Sequence, residues 1–346
     1  MISQRFGVLF AAFSVLLTGG TCEQLPGPED DIASPSMTTR AITFSDWSTT
    51  GYASAQAEAS LEELAETGAN TVVFLVTAYQ QTSRSSTLGA YFGLTPSDLS
   101  VLQARAVAGR LGIHPALKLH VDVVDGSWRG FIDPANPQLW FEAYEDFAVR
   151  WADFAETYGF TELVVGTELA TLSRRTAEWR HVCESVRAVF SGKLIYAASW
   201  DEAENIEFWD ALDAVGINFY NRIANRPDCG RLELLAGWQA WLARLELLHE
   251  RTGLPVVLTE IGYMSRDGAG MEPPEFEGES TPDLSEQADL YWAALAATAG
   301  QSWITGMYWW NWPALEHGGD SSTSFTPRGK PAAALLQDVW TDDASR

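Results

Sequence analysis

Apolar residues along this chain come in short runs that alternate with longer stretches of helical period. The runs at 41–45, 71–77, 116–124, 162–167, 194–199, 214–219 and 304–309 have strand length and strand composition. An eighth run, within 254–264, passes from Val256, Val257 and Leu258 into Glu260. Between them the spacing predicts helices over 53–67, 96–111, 138–158, 175–190, 231–251, 285–299 and 331–340, with a short one near 206–212. The stretch 138–158 carries Trp140, Tyr144, Phe147, Trp151, Phe154 and Tyr158 at steps of four and three, the stripe of a helix packed on a sheet. In 231–251, Leu235, Trp238, Leu242, Leu245 and Leu248 share one side. Strict alternation implies a parallel sheet, and eight units imply closure into a single-domain (β/α)8 TIM barrel of the α/β class. An open doubly wound sheet would carry a glycine-rich phosphate turn after its first strand. Ser45-Asp46-Trp47-Ser48 stands there instead.

The barrel is expected over 40–346. Ahead of it, 23–39 has the composition of a linker, with Pro26, Pro28 and Pro35 among acidic residues and serines. Arg5 precedes an apolar run from Phe6 to Leu17, then Thr18-Gly19-Gly20-Thr21-Cys22, so 1–22 reads as an export signal. The run is too short for a comfortable membrane span. Cys22 sits where a lipoprotein signal is acylated, although Gly19 and Thr21 depart from the usual Leu and small residue before that cysteine. Export to the periplasm or beyond is expected, and membrane attachment through a lipidated Cys22 stays open.

A net charge of −24 excludes a nucleic-acid partner, which needs a basic face, and argues against polyanionic substrates. It fits a soluble exported monomer. Cys22, Cys183 and Cys229 have no metal-ligand spacing. Cys183 falls in a helix and Cys229 in a loop, and they read as unrelated small residues, since sequence cannot place them at disulfide distance. No phosphate loop or cofactor motif is present, so chemistry without a metal or cofactor is the simplest expectation.

In a barrel, function gathers at the C-terminal ends of the strands. Alternation places Lys118, His120 and Asp122 together on the inward face of the third strand, where three polar residues are costly unless they bond one another or a ligand. It places Val164, Gly166 and Glu168 on one face of the fourth, Gly216, Asn218 and Tyr220 on one face of the sixth, and Val256, Leu258 and Glu260 on one face of the seventh. Gly166 is expected to leave space below Glu168. Trp47, Trp128, Trp200 and Trp310 stand where strands meet loops, where flat aromatic faces stack on sugar rings, and Arg129 follows Trp128. Two glutamates facing one cleft beside aromatic platforms form the pattern for glycoside hydrolysis. The competing reading makes the glutamates structural partners of Arg129 or Lys118.

Several motifs add to this. They are Thr-Gly-Ala-Asn at 67–70, Leu-Lys-Leu-His-Val-Asp at 117–122, Trp-Arg-Gly at 128–130 and Gly-Thr-Glu-Leu at 166–169. Tyr-Ala-Ala-Ser-Trp at 196–200, Thr-Glu-Ile-Gly-Tyr at 259–263 and Arg-Gly-Lys-Pro-Ala at 328–332 follow. In their order the chain resembles glycoside hydrolase family 113, the β-mannanase-like branch of the clan A retaining barrels. The resemblance implies Glu168 as acid/base, Glu260 as nucleophile, and carboxyls about 5 to 5.5 Å apart. It implies Tyr220 as the donor that orients Glu260, and endo-acting cleavage of β-1,4-mannan, glucomannan or manno-oligosaccharides. Clan members commonly carry Asn directly before the acid/base; Thr167 stands there, which leaves Asn218, His120 and Lys118 as candidates for the sugar contact. A clan A hydrolase of another β-glycan and a non-catalytic surface glycan-binding barrel are the alternatives.

Overall fold

Eight parallel strands pair in chain order, and β8 returns to β1 to close the barrel. The computed structural model describes residue 32, residues 37–273 and residues 281–342. The export signal, Cys22, nearly all of the linker and the last residues of the chain lie outside these. The strands are β1 (Thr39–Ser45), β2 (Thr71–Gln80), β3 (His114–Val123), β4 (Glu162–Thr167), β5 (Lys193–Ser199), β6 (Ala214–Phe219), β7 (Val256–Ile261) and β8 (Ile304–Pro313). The helices are α1 (Ala55–Ala65), α2 (Asp98–Arg110), α3 (Pro137–Thr157), α4 (Thr176–Arg187), α5 (Arg231–Thr252), α6 (Leu284–Thr298) and α7 (Pro331–Asp342).

Helix starts follow local chemistry. Ser54, Ser97, Asn136 and Asp283 each accept a hydrogen bond from a backbone N–H in the first turn of α1, α2, α3 and α6. α5 stops at Gly253, whose φ of +69° ends a helix without a Cβ clash. Between β5 and β6 the expected short helix is two 3-10 turns, Ala203–Asn205 and Trp209–Ala211. Ile206 and Phe208, two residues apart, are both buried there, which one face of an α-turn cannot provide. Among the described residues no helix is long and apolar enough to cross a membrane.

Two apolar layers result. The larger lies between strands and helices and holds Trp140, Tyr144, Trp151 and Phe154 of α3 and the outward strand residues, with Phe147 at its edge; Tyr158, the last of the expected stripe, follows the helix and is exposed. The smaller fills the barrel with Ala41, Val73, Ala116, Val164, Ile195, Ala197, Ala214, Val257 and Tyr308. Four alanines leave room for the Tyr308 ring, whose hydroxyl donates to Glu162. Thr39 Oγ1 also donates to Glu162 (3.3 Å), and Lys193 Nζ lies 3.7 Å from it. This polar plug closes the N-terminal end of the barrel, the end that serves stability.

The inward faces of β3 and β6 are as alternation predicts. Leu117, Leu119 and Val121 on β3, and Val215, Ile217 and Phe219 on β6, pack outward. β4 and β7 depart from it. The pairing of β4 with β5 shifts between Val164 and Thr167, and that of β7 with β8 between Leu258 and Ile261. Gly166 therefore faces outward: a Cβ there would sit 2.7 Å from the Tyr196 ring and 2.8 Å from Trp179, so it opens no space under Glu168. Val256 and Leu258 likewise join the outer layer while Val257 fills the barrel, and they do not share a face with Glu260.

Candidate active site

At the C-terminal ends of the strands lies a cleft of about 420 Å³. Trp47, Trp128, Arg129, Glu168, Ser199, Trp200, Asp201, Asn218, Tyr220, Glu260 and Trp310 line it. Each comes from a loop or strand end that the pattern of apolar runs located. The four tryptophans contribute apolar faces around the rim, with Trp47 edge-on to Trp310 at 6.3 Å between ring centres. Trp310 is joined to Asn311 by a cis peptide.

The two glutamates sit in unlike surroundings. Glu260 is buried, and its Oε1 accepts from Lys118 Nζ at 2.5 Å while its Oε2 accepts from Tyr220 Oη at 2.8 Å. A cation and a phenol therefore stabilise negative charge at Glu260. Glu168 Oε1 accepts from Asn218 Nδ2 at 3.0 Å, and its Oε2 meets Trp128 Nε1 at 3.5 Å. The nearest guanidinium, that of Arg129, stands 4.0 Å away through Nη1 and is shared with Asp122, which takes Nη2 at 2.5 Å. Burial and then the charge of Glu260 raise the pKa of Glu168, against the pull of Arg129, Asn218 and Lys118. The site thus pairs a carboxyl of raised pKa at Glu168 with a carboxyl at Glu260 that is bonded to a lysine and a tyrosine, an asymmetry suited to giving a proton on one side of a bond and a nucleophile on the other.

The groups around the two glutamates hold them in place. Lys118 is fully buried and also donates to Thr259 O (3.0 Å) and Asn218 Oδ1 (3.4 Å). Burial lowers its pKa, against the charge of Glu260. The Tyr220 hydroxyl is pushed well above its ordinary pKa by burial and the adjacent carboxylate, so it remains a donor. For Arg129, burial opposes the charge, and Asp122, Glu168 and Glu260 outweigh it. His120 stacks on Trp310 with its Nε2 3.8 Å from Glu260, and burial first, then Arg129 and Lys118, keep its pKa well below the ordinary value. Thr167 is buried and donates to Leu119 O at 3.0 Å. Lys118, His120 and Thr167 thus lie behind the cleft wall, and Asp122 reaches it through Arg129.

A sequence model of glycoside hydrolase family 113 matches residues 42–330. The chain belongs to glycoside hydrolase family 113. No curated protein matches it. Among solved structures, a family 113 β-1,4-mannanase described as a complex superposes with a TM-score of 0.81 at 25% identity, covering 88% of this chain and 99% of that one. A family 113 β-mannanase from Alicyclobacillus acidocaldarius superposes at 0.79 with 25% identity over 91% of this chain and 99% of that one. A β-glucuronidase from Bifidobacterium dentium shares the fold alone, at 15% identity and a TM-score of 0.57 over 89% of this chain and 48% of that one. Family membership makes this protein a glycoside hydrolase with a polysaccharide or oligosaccharide substrate.

In this family 113 chain, the sequence places Ser199-Trp200-Asp201 at the end of the fifth strand but singles out Trp200 alone, and Ser199 and Asp201 flank it in the cleft wall. Their place at the end of β5 was the available signal. Sequence reasoning passed over Thr259, whose Oγ1 donates to Asn218 Oδ1 at 3.0 Å, and Glu202, a buried carboxyl behind Trp200. Cys183 and Cys229 are both free and buried.

Proposed function

We propose that the protein is a retaining endo-β-1,4-mannanase acting on mannan, glucomannan or manno-oligosaccharides. In this reading Glu260 attacks the anomeric carbon while Glu168 gives its proton to the departing glycosidic oxygen, which breaks the C–O bond and leaves a glycosyl ester on Glu260. Water then attacks that carbon, Glu168 takes the proton, and Glu260 departs as carboxylate. Tyr220 and Lys118 hold Glu260 aimed, and Asn218 fixes Glu168. Trp47, Trp128, Trp200 and Trp310 carry the sugar faces. The contrast between the two carboxyls is the observation that supports this assignment: Glu260 has a cation at 2.5 Å, whereas Glu168 has a raised pKa and shares its nearest guanidinium. Similarity to β-mannanases at 25% identity supports the substrate class.

The test is a product assay on manno-, cello-, xylo- and laminari-oligosaccharides and the matching polymers, following reducing ends and anomeric configuration. Manno-oligosaccharide products of retained configuration are expected. Activity on another β-glycan alone would move the specificity, and inverted product would remove the nucleophile role from Glu260. We also place the protein outside the cytoplasm, on the 1–22 signal pattern; mass spectrometry of the mature N-terminus, with or without lipid on Cys22, checks that.

A further inference from the structure

Glu168 has a left-handed backbone, φ +52°, which an L-residue adopts only when its surroundings hold it there. Two N–H groups tie this turn down. Glu168 N donates to Ala197 O at 2.8 Å, and Leu169 N donates to Tyr196 Oη at 3.1 Å. The Tyr196 hydroxyl in turn donates to Glu202 Oε1 at 2.6 Å. The other oxygen of Glu202 accepts Ser199 N at 3.0 Å and Ser199 Oγ at 3.3 Å. Tyr196 is wholly buried and Glu202 nearly so, and neither lines the cleft.

We propose that Glu202 and Tyr196 are positioning residues that clamp the turn carrying Glu168 to the end of β5 and so set the aim of the Glu168 carboxyl. The reasons are geometric. Tyr196 Oη is the acceptor for the amide directly after Glu168, and a phenol that accepts there has one proton to give, which goes to Glu202. Glu202 uses its second oxygen on the strand end that presents Ser199 and Trp200 to the cleft. One buried carboxyl therefore joins two walls of the site. Burial raises the pKa of Glu202 to about 7, and among the described residues its hydrogen bonds come from Tyr196 and Ser199.

The inference rests on Glu168 being the acid, and its test separates the two claims. In the full chain, kcat/KM would be measured for Tyr196→Phe, Glu202→Gln and Glu168→Gln on two substrates. One is mannohexaose, whose leaving group needs a proton; the other is dinitrophenyl β-mannobioside, whose leaving group does not. Glu168→Gln should lose far more on the first substrate than on the second. Tyr196→Phe and Glu202→Gln should show the same selectivity, with a loss of up to about 10²-fold on mannohexaose, the scale of a misplaced group. Either variant suffices if the other does not fold. Equal losses on both substrates in both variants would mean support of the fold and nothing more, and would overturn the positioning role. A Glu168→Gln enzyme without selectivity would overturn the acid role, and the clamp with it.

Discussion

Strands β3 and β7 meet inside the barrel around the contact of Lys118 with Glu260, and they reach it by different backbones. β3 keeps a period of two: Leu117, Leu119 and Val121 point out, and Lys118 and His120 point in. On β7, Leu258 points out, and then Thr259 and Glu260, neighbours in sequence, both reach the cluster around Asn218 and Lys118. The same occurs on β4, where Gly166 turns outward and Glu168 follows in a left-handed turn. The cationic side of the site thus stands on regular strand, and both carboxyls stand on shifted strand. A lysine side chain is long and can find its partner from a plain pleat. A carboxyl is short, so the backbone itself must bring it to position, and irregular pairing beside a site is the usual means of re-aiming a side chain.

If this division holds, the shifted strands carry the larger functional effects. Glu260→Gln should lower kcat by about 10⁴-fold or more, the loss seen when a group acting on the reacting atoms is replaced. Oligosaccharide binding, followed by calorimetry, should survive. Turnover within tenfold of wild type would remove Glu260 from the chemistry.

Lys118→Met on β3 tests the regular side. It removes the charge partner of Glu260 and leaves a buried carboxylate with Tyr220 alone, which should destabilise the fold by about 3 to 5 kcal/mol. Chemical denaturation would read that loss, and kcat should fall with it, though less than for Glu260→Gln. A variant as stable as wild type would show that the pair contributes nothing to the fold.

Gly166→Ala probes the shift itself. A methyl group there meets the Tyr196 ring at 2.7 Å, and overpacking of this kind costs roughly 1 to 3 kcal/mol. The thermal midpoint should drop. Unchanged stability with an altered KM would place residue 166 in the cleft, as simple alternation had it.

That last contrast marks where sequence reading stopped. Strand order, barrel closure, the tryptophans at strand ends and the inward set Lys118, His120, Asn218 and Tyr220 were legible, because they depend on a period of two and on apolar run length. The shifts on β4 and β7 were not. A one-residue slip depends on how neighbouring strands pair, and that leaves no mark in the composition of the run. Glu162 and Glu168 show the limit well: they bracket one apolar strand, yet one plugs the bottom of the barrel and the other lines the cleft. Glu202 was hidden for a related reason. It lies in a polar stretch that reads as loop, and only the packing of Tyr196, on β5, against the turn after β4 reveals its partners.

The smallest expected effect concerns Arg129, which reaches Glu168 from the loop after β3. Its guanidinium favours the ionised form of Glu168, in opposition to burial and the charge of Glu260. An acid must be protonated to act, so activity falls as pH rises through the pKa of Glu168 and the alkaline limb of the pH profile reports that group. Arg129→Met removes a charge that lowers this pKa. The protonated form then persists to higher pH, and the alkaline limb should move upward. The opposite substitution on the same pair sharpens the point. Asp122→Asn frees Arg129 from its 2.5 Å partner and strengthens its pull on Glu168, so the limb should move downward. Profiles of kcat/KM against pH for the two variants check both directions. Shifts of the same sign in both would mean that the limb belongs to another group, and that the regular strand governs the acid by geometry and not by charge.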